Sequence, residues 1–202
     1  LGNPQDRSAS RLPSMGLALV TGGARRIGAA IVRRLAEDGH SVAIQYRRSE
    51  QDALALVEEL RSNGHDVMSF QVDLRDTAEI EALISGLRPS ILINNASAFT
   101  PDDISSLEPS VFNEIMETNL LAPILLVQAM TKSLEGREGV VVNILDQKLE
   151  NPNPDFLSYT ASKVALGGLT KPLAMTLAPS IRLNAVSPGL TLPSPHASVE
   201  SF

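Results

Sequence analysis

From Gly16 onward the chain alternates between short, nearly unbroken apolar runs and longer stretches whose apolar residues recur every three to four positions. The first run, Leu17–Val20, ends in glycines, and a helical pattern follows from Arg26 to Asp38. Gly39 stops it, as glycine does just past a helix end. Val42–Tyr46 predicts a second strand and Glu50–Ser62 a second helix that closes on Asn63–Gly64. Val67–Val72, Thr77–Ser85 and Ile91–Asn94 continue as strand, helix, strand. Ser110–Ser133 predicts one long helix, Val140–Ile144 a strand, Leu157–Leu177 a helix and Ile181–Val186 a strand. Strands this apolar belong in a parallel sheet covered on both faces. Regular β-α alternation adds right-handed crossovers, so the expected fold class is α/β, a doubly wound parallel sheet of Rossmann type with six strands visible.

Two prolines interrupt helical patterns. Pro123 has no N–H for the carbonyl of Asn119, so that carbonyl is expected to be left open, with a kink, in a position to hold a water. Pro172 does the same to Gly168, where the missing side chain eases the crowding.

Composition narrows the function classes. The chain has 202 residues, enough for one α/β domain, expected over residues 15–202. Residues 1–14 mix Asn, Pro, Gln, Ser and Arg without periodicity, so a flexible arm or a cloning remnant is expected there. Seventeen basic against 23 acidic residues give a net charge of -6, a poor footprint for nucleic acid. No uninterrupted apolar run approaches the ~18 residues of a membrane helix, so no membrane partner is expected. With no cysteine, thiolate metal sites are excluded and a reducing, cytoplasmic location is expected. His40, His65 and His196 are scattered without ligand spacing, so no metal is expected.

The first βα turn reads Thr21-Gly22-Gly23-Ala24-Arg25-Arg26-Ile27-Gly28. Glycines between a strand and a helix let the backbone approach a pyrophosphate, and the helix N-terminus favours its charge. Roughly 20 residues beyond this turn, where the second strand ends, an acidic residue would select NAD. Here Tyr46-Arg47-Arg48-Ser49 stands instead, and arginine accommodates a 2′-phosphate, so the expected cofactor is NADPH.

Five motifs then fall in one order. Thr21–Gly28 resembles the TGxxxGxG turn of the short-chain dehydrogenase/reductase family, Asn94-Asn95-Ala96 its NNA motif, and Tyr159-xxx-Lys163 its YxxxK. Val72-Asp73-Leu74 resembles the segment that contacts adenine, and Pro188-Gly189 the loop at the nicotinamide end. The resemblance covers residues 16 to about 192. It assigns to the cofactor Gly22, Arg25, Arg26, Ile27 and Gly28, then Tyr46, Arg47, Arg48 and Ser49, then Asp73 and Leu74, Asn95, Ala96 and Ser97, and finally Tyr159, Lys163, Pro188 and Gly189. Hydride transfer to C=O or C=N needs a proton for the heteroatom. Tyr159 is the expected donor. Lys163, one turn away, is expected to favour the phenolate and bring it toward working pH, while holding the nicotinamide ribose. Asn119 is expected to keep a relay water.

Three departures refine the resemblance. Arg26 replaces the turn's middle glycine, Ser97 follows NNA where glycine is usual, and Asp146 stands thirteen residues before Tyr159 where serine is usual. A carboxylate beside a forming oxyanion is repelled, but it suits a substrate that presents N–H groups or a ring nitrogen. Asp146, Tyr159 and Lys163 together are similar to the pteridine reductases of the family, as are the paired basic residues of the turn and NNAS followed by Phe99. The resemblance therefore implies a reduced pterin or folate as substrate, with Arg26, Ser97, Phe99, Asp146 and Tyr159 around it and Phe99 stacked on a flat heterocycle. It also implies a homo-oligomer, a tetramer in this family. Two alternatives stay open: a reductase of 3-oxoacyl thioesters or small ketones, and a non-catalytic NADPH-binding protein. The family usually continues past Pro188-Gly189 with a covering segment, a helix and a seventh strand, so the C-terminal strand and lid are expected to be missing from a sequence that stops at Phe202.

Overall fold

The computed structural model of the chain describes residues 16–189 and residue 191. The expectations for the arm 1–14, for His196 and for a C-terminal lid lie outside the described residues. Six strands form one parallel sheet: β1 (Leu17–Thr21), β2 (Ser41–Tyr46), β3 (Val67–Gln71), β4 (Ile91–Asn94), β5 (Gly139–Ile144) and β6 (Ile181–Val186). Their order is β3-β2-β1-β4-β5-β6. The connecting helices are α1 (Arg26–Glu37), α2 (Glu50–Ser62), α3 (Thr77–Leu87), α4 (Pro109–Met116), α5 (Ala122–Leu134) and α6 (Leu157–Leu177).

The apolar runs are buried on both faces of the sheet. On one side Leu19, Leu92 and Val141 pack with Ile80 and Ile84 of α3 and Leu126 and Met130 of α5. On the other, Val20, Val42 and Ile44 pack with Val32 and Ala36 of α1 and Leu56 and Leu60 of α2. Each fully buried Leu or Ile contributes ~1.5–3 kcal/mol relative to exposure. The edge strand β6 differs: Ile181 and Leu183 point inward while Arg182 and Asn184 are exposed. Strand order reverses between β1 and β4, and ligands of such sheets bind in the crevice at that switch point.

The single long helix expected over Ser110–Ser133 is divided. A π turn spans Glu117–Leu121, and Ala122 N–H donates to Glu117 O, five residues back. Pro123 supplies the cause, since it cannot donate to Asn119 O and the chain widens by one residue to absorb the gap. The turn places Asn119, wholly buried, at the crevice. Pro172 is carried inside α6 as expected.

One helix passes a test of length and average apolarity that no uninterrupted apolar run meets. The helical stretch Pro109–Leu134 has 26 residues, and an 18-residue window within it reaches a mean hydropathy of 1.2, long and apolar enough to cross a membrane. Counting unbroken apolar residues missed it because Glu114, Glu117 and Asn119 interrupt the run. Here Ile115, Ala122, Leu126, Val127, Met130 and Leu134 are buried inside the protein.

Candidate active site

The turn after β1 has no room for a side chain at Gly22, Gly23 or Gly28. A Cβ on Gly28 would stand 2.3 Å from Gly22 O and 2.6 Å from Asn95 Nδ2. Gly22 has φ +59°, and a Cβ there would meet Ala96 Cα at 2.9 Å. The turn is braced from β4: Asn95 Nδ2 donates to Thr21 O at 2.9 Å and to Gly22 O at 3.0 Å. Thr21 Oγ1 accepts from Asn95 N and Ala96 N, both at 3.0 Å. Arg26 stands in the left-handed region at φ +51°. That explains why glycine is usual at its position, and an L-residue there costs ~1–2 kcal/mol.

Gln45 is a functional residue the sequence reading missed. Buried in β2, it accepts from Gly22 N at 2.9 Å and donates to Val72 O at 2.7 Å, tying the glycine turn to the end of β3. Its signal was a polar residue inside the apolar run Val42–Tyr46.

A cleft of about 250 Å³ opens beside the turn. Gly22, Arg25, Tyr46, Arg47, Arg48, Ser49, Asp73, Leu74, Ala96 and Ser97 line it, so the structure gathers in one place most of the residues expected at the cofactor. Gly28 and Asn95 support the turn from behind, and Ile27 stands half-buried in the first turn of α1. The two arginines after β2 are not equivalent. Arg47 is committed to Asp73 Oδ2 at 3.1 Å and Glu114 Oε1 at 2.9 Å. Arg75 and Arg47 hold the Asp73 carboxyl down to about 2, the Arg75 hydrogen bond being the larger cause. Arg48 is exposed and makes no ion pair among the described residues. Ser49 spends no side-chain hydrogen bond on capping α2. Arg25 is bonded to Asp52 at 2.6 Å on the cleft rim.

At the other end of the crevice, β5 delivers Asp146 and α6 delivers Tyr159 and Lys163. Tyr159 Oη donates to Asp146 Oδ2 at 2.7 Å, while Asp146 Oδ1 accepts from Lys148 N at 2.8 Å. Lys163 Nζ donates to Ile144 O at 2.8 Å and lies 5.7 Å from the Tyr159 ring centroid. Gln147 N donates to Pro188 O at 3.1 Å, which brings Pro188 and Gly189 against the Asp146 loop. Phe99 meets the Tyr159 ring edge-on at 4.6 Å and stacks on Phe156 at 4.1 Å. One face of Phe99 is therefore already covered by Phe156.

The expected depression of the phenol by Lys163 is overturned. Burial first, and the Asp146 carboxylate second, hold Tyr159 well above the ordinary tyrosine range. Lys163 is itself brought down to about 8 by burial, against the Asp146 charge, which favours the ammonium. A carboxylate in contact with the phenol outweighs a lysine whose hydrogen bond goes to Ile144 O. The expectation for Asn119 concerned its main-chain carbonyl, and its side chain has partners of its own. Its amide is committed, donating to Ala98 O at 2.9 Å and Ser162 Oγ at 3.1 Å and accepting from Ala98 N at 2.7 Å.

The sequence of residues 16–201 matches the family described as short chain dehydrogenase. The chain is 34% identical over 179 residues to the 3-oxoacyl-[acyl-carrier-protein] reductase of Staphylococcus aureus, covering 85% of this chain and 73% of that protein. It is similar in structure to the alternative dihydrofolate reductase 1 of Brucella canis in complex with NADP, with a TM-score of 0.87 and 40% identity over 95% of this chain and 78% of that one. A short chain dehydrogenase of Burkholderia cenocepacia in complex with NADP aligns with a TM-score of 0.80 and 35% identity, over 85% of this chain and 73% of that one. A family match over all the described residues, with its turn, its NNA segment and its Tyr-Lys pair on one crevice, means that the chain belongs to the short chain dehydrogenase family.

Proposed function

We propose that the chain is a cytoplasmic, NADPH-dependent reductase that adds hydride and a proton across the C=N bond of a reduced pterin or folate. The observation that carries this reading is the carboxylate of Asp146 in contact with the Tyr159 hydroxyl. A ketone's developing oxyanion would lie beside that negative charge, whereas a pterin presents amino and ring N–H groups that a carboxylate accepts. Likeness to an alternative dihydrofolate reductase at 40% identity supports it.

The residues fit the cofactor. The glycine turn leaves a cradle that a Cβ would fill. Arg48 and Ser49, with the N-terminus of α2 behind them, suit a 2′-phosphate. NADPH supplies the hydride when bound. Tyr159, held protonated by burial and Asp146, gives the proton; Asp146 receives the substrate's N–H edge; and Lys163 holds the nicotinamide ribose. Asn119 keeps a relay water through its main-chain carbonyl, which Pro123 cannot engage, because its side-chain amide is spent on Ala98 and Ser162. Arg26, Ser97 and Phe99 complete the pocket. A second copy of the chain covers exposed apolar side chains of α6, among them Val164 and Met175, which stand three turns apart on one face, giving a homo-oligomer that light scattering would detect.

The 34% identity to a 3-oxoacyl-[acyl-carrier-protein] reductase favours the second reading, an oxoacyl thioester as substrate. The test is NADPH oxidation with dihydrobiopterin, dihydromonapterin and an acetoacetyl thioester side by side. Faster turnover of either pterin supports the proposal, and preference for the thioester overturns it.

A further inference from the structure

Asp102 belongs to none of the motifs above, yet it is 8% exposed and makes no ion pair among the described residues. It lies at the N-terminus of α6. Ser158 N donates to its two carboxylate oxygens at 3.1 and 3.2 Å, and Ser158 Oγ donates to Oδ2. Leu157 N donates to the main-chain oxygen of Asp102 at 3.2 Å. The first amides of a helix have no partner within it. Here the usual local cap is missing, since Phe156 precedes the helix at φ +59° and makes no side-chain capping bond. A residue 56 positions upstream of Ser158 does the work, and the helix dipole meets its buried charge.

The next residue along α6 is Tyr159, and Lys163 follows one turn later. The other end of the Asp102 loop is gripped as well, because Asn119 holds both the N–H and the C=O of Ala98. Between the two grips, Phe99 rests on Phe156 and against the edge of Tyr159. The loop that walls the pocket and the helix that carries the hydroxyl are thus joined directly through Asp102 and Phe99, and indirectly through Asn119, which also donates to Ser162 of α6.

We propose that Asp102 is a positioning residue, which caps α6 from across the pocket and, through Ser158, sets the Tyr159 hydroxyl against Asp146. This rests on the reading of Tyr159 as proton donor. A misplacement of ~1 Å in such a group can cost ~10²-fold in turnover.

The test uses Asp102→Ala, Asp102→Asn and Ser158→Ala in the full chain, each in the wild-type and Tyr159→Phe backgrounds, with dihydrobiopterin and NADPH. Asp102→Ala is expected to lower kcat ~10-fold or more while the NADPH Kd from fluorescence titration stays unchanged. Asp102→Asn restores most of the loss, because asparagine caps about as well as aspartate. On top of Tyr159→Phe, Asp102→Ala costs nothing further, since the group it positions is gone. Equal losses in both backgrounds mean general damage to the fold and overturn the proposal, as does an Asn variant no better than Ala. If Asp102→Ala does not fold, Ser158→Ala carries the same test with a smaller loss that must also vanish in the Tyr159→Phe background. Amide exchange at Leu157 and Ser158 gives a readout independent of substrate: faster in Asp102→Ala supports the cap, unchanged removes it. Full turnover by Tyr159→Phe would overturn the proton-donor reading and the positioning step with it, leaving exchange to judge the cap alone.

Discussion

Tyr159 donates its hydroxyl to Asp146 Oδ2 across 2.7 Å, so the family's tyrosine and this chain's unusual carboxylate form one hydrogen-bonded pair. A phenolate beside this carboxylate would meet heavy repulsion in a buried site. Burial and Asp146 together keep the proton on the phenol. The pair therefore enters a reduction with a proton in hand. Once the phenol has given it up, the Asp146 charge favours prompt reprotonation, the direction in which a reductase must run.

Arg48 and not Arg47 should decide the cofactor. Arg47 is occupied by Asp73 and Glu114, whereas Arg48 stands exposed beside Ser49. Arg48→Ala should weaken NADPH binding by about one to two decades, the worth of ~1.5–3 kcal/mol in a charged hydrogen bond, and spare NADH. Fluorescence titration with both nucleotides checks it; equal losses for the two would refute the assignment.

The Lys163 ammonium should set the alkaline limb of the activity. Its folded value of about 8 means that turnover and NADPH affinity fall as pH rises through 8. Stability moves the other way. The ordinary lysine value is 10.5, so between 8 and 10.5 the unfolded chain binds more protons than the folded one. The cost of burying this charge is therefore full below pH 8 and is relieved above it. Lys163→Met should melt higher than wild type at neutral pH, with the gap closing as pH rises toward 10. A gap that widens with pH would contradict the burial argument.

The glycine turn should tolerate no methyl at Gly28. A Cβ at 2.3 Å from Gly22 O must push the backbone, and overpacking of that kind costs ~1–3 kcal/mol. Gly28→Ala should lower Tm and weaken NADPH binding. Gly86→Ala in α3 is the control: a Cβ there meets nothing within 4 Å, and replacing a helical glycine gains ~0.5–1 kcal/mol. Equal Tm values for the two variants would count against the close approach.

Much of this was legible in sequence because local chemistry and global pattern agree. The six strands lie within a residue or so of the apolar runs, Arg48 lines the cleft beside the glycine turn, and Tyr159, singled out by its resemblance to the family motif, lies on α6 against Asp146. What stayed hidden depends on partners far apart in the chain. Gln45 bridges Gly22 and Val72, and Asp102 caps a helix 56 residues downstream. A polar residue inside an apolar run marks Gln45 as unusual, but neither residue's partner can be read from its local sequence. The division of the long helix at Glu117–Leu121 was half legible: Pro123 announced the broken hydrogen bond but not the π turn that absorbs it. The phenol was misjudged because helical spacing shows Lys163 one turn from Tyr159, while the closer charge, Asp146, arrives from β5.

Asp146→Ser is the most discriminating change. It removes the carboxylate that helps hold the phenol high, so an ultraviolet titration should show Tyr159 moving down, with burial alone left to raise it. For a dihydropterin, the lost acceptor is worth ~1.5–3 kcal/mol, and kcat/KM should fall by about one to two decades. For an oxoacyl thioester or a ketone the same change should help or be neutral, because it withdraws a charge that opposes the oxyanion and lets the phenol act as the stronger acid. The opposite signs separate the two readings within a single variant. Pterin reduction that survives Asp146→Ser untouched would show that the carboxylate does not contact the substrate, and the similarity to alternative dihydrofolate reductases would then extend to the fold and the nucleotide cleft but not to the pterin.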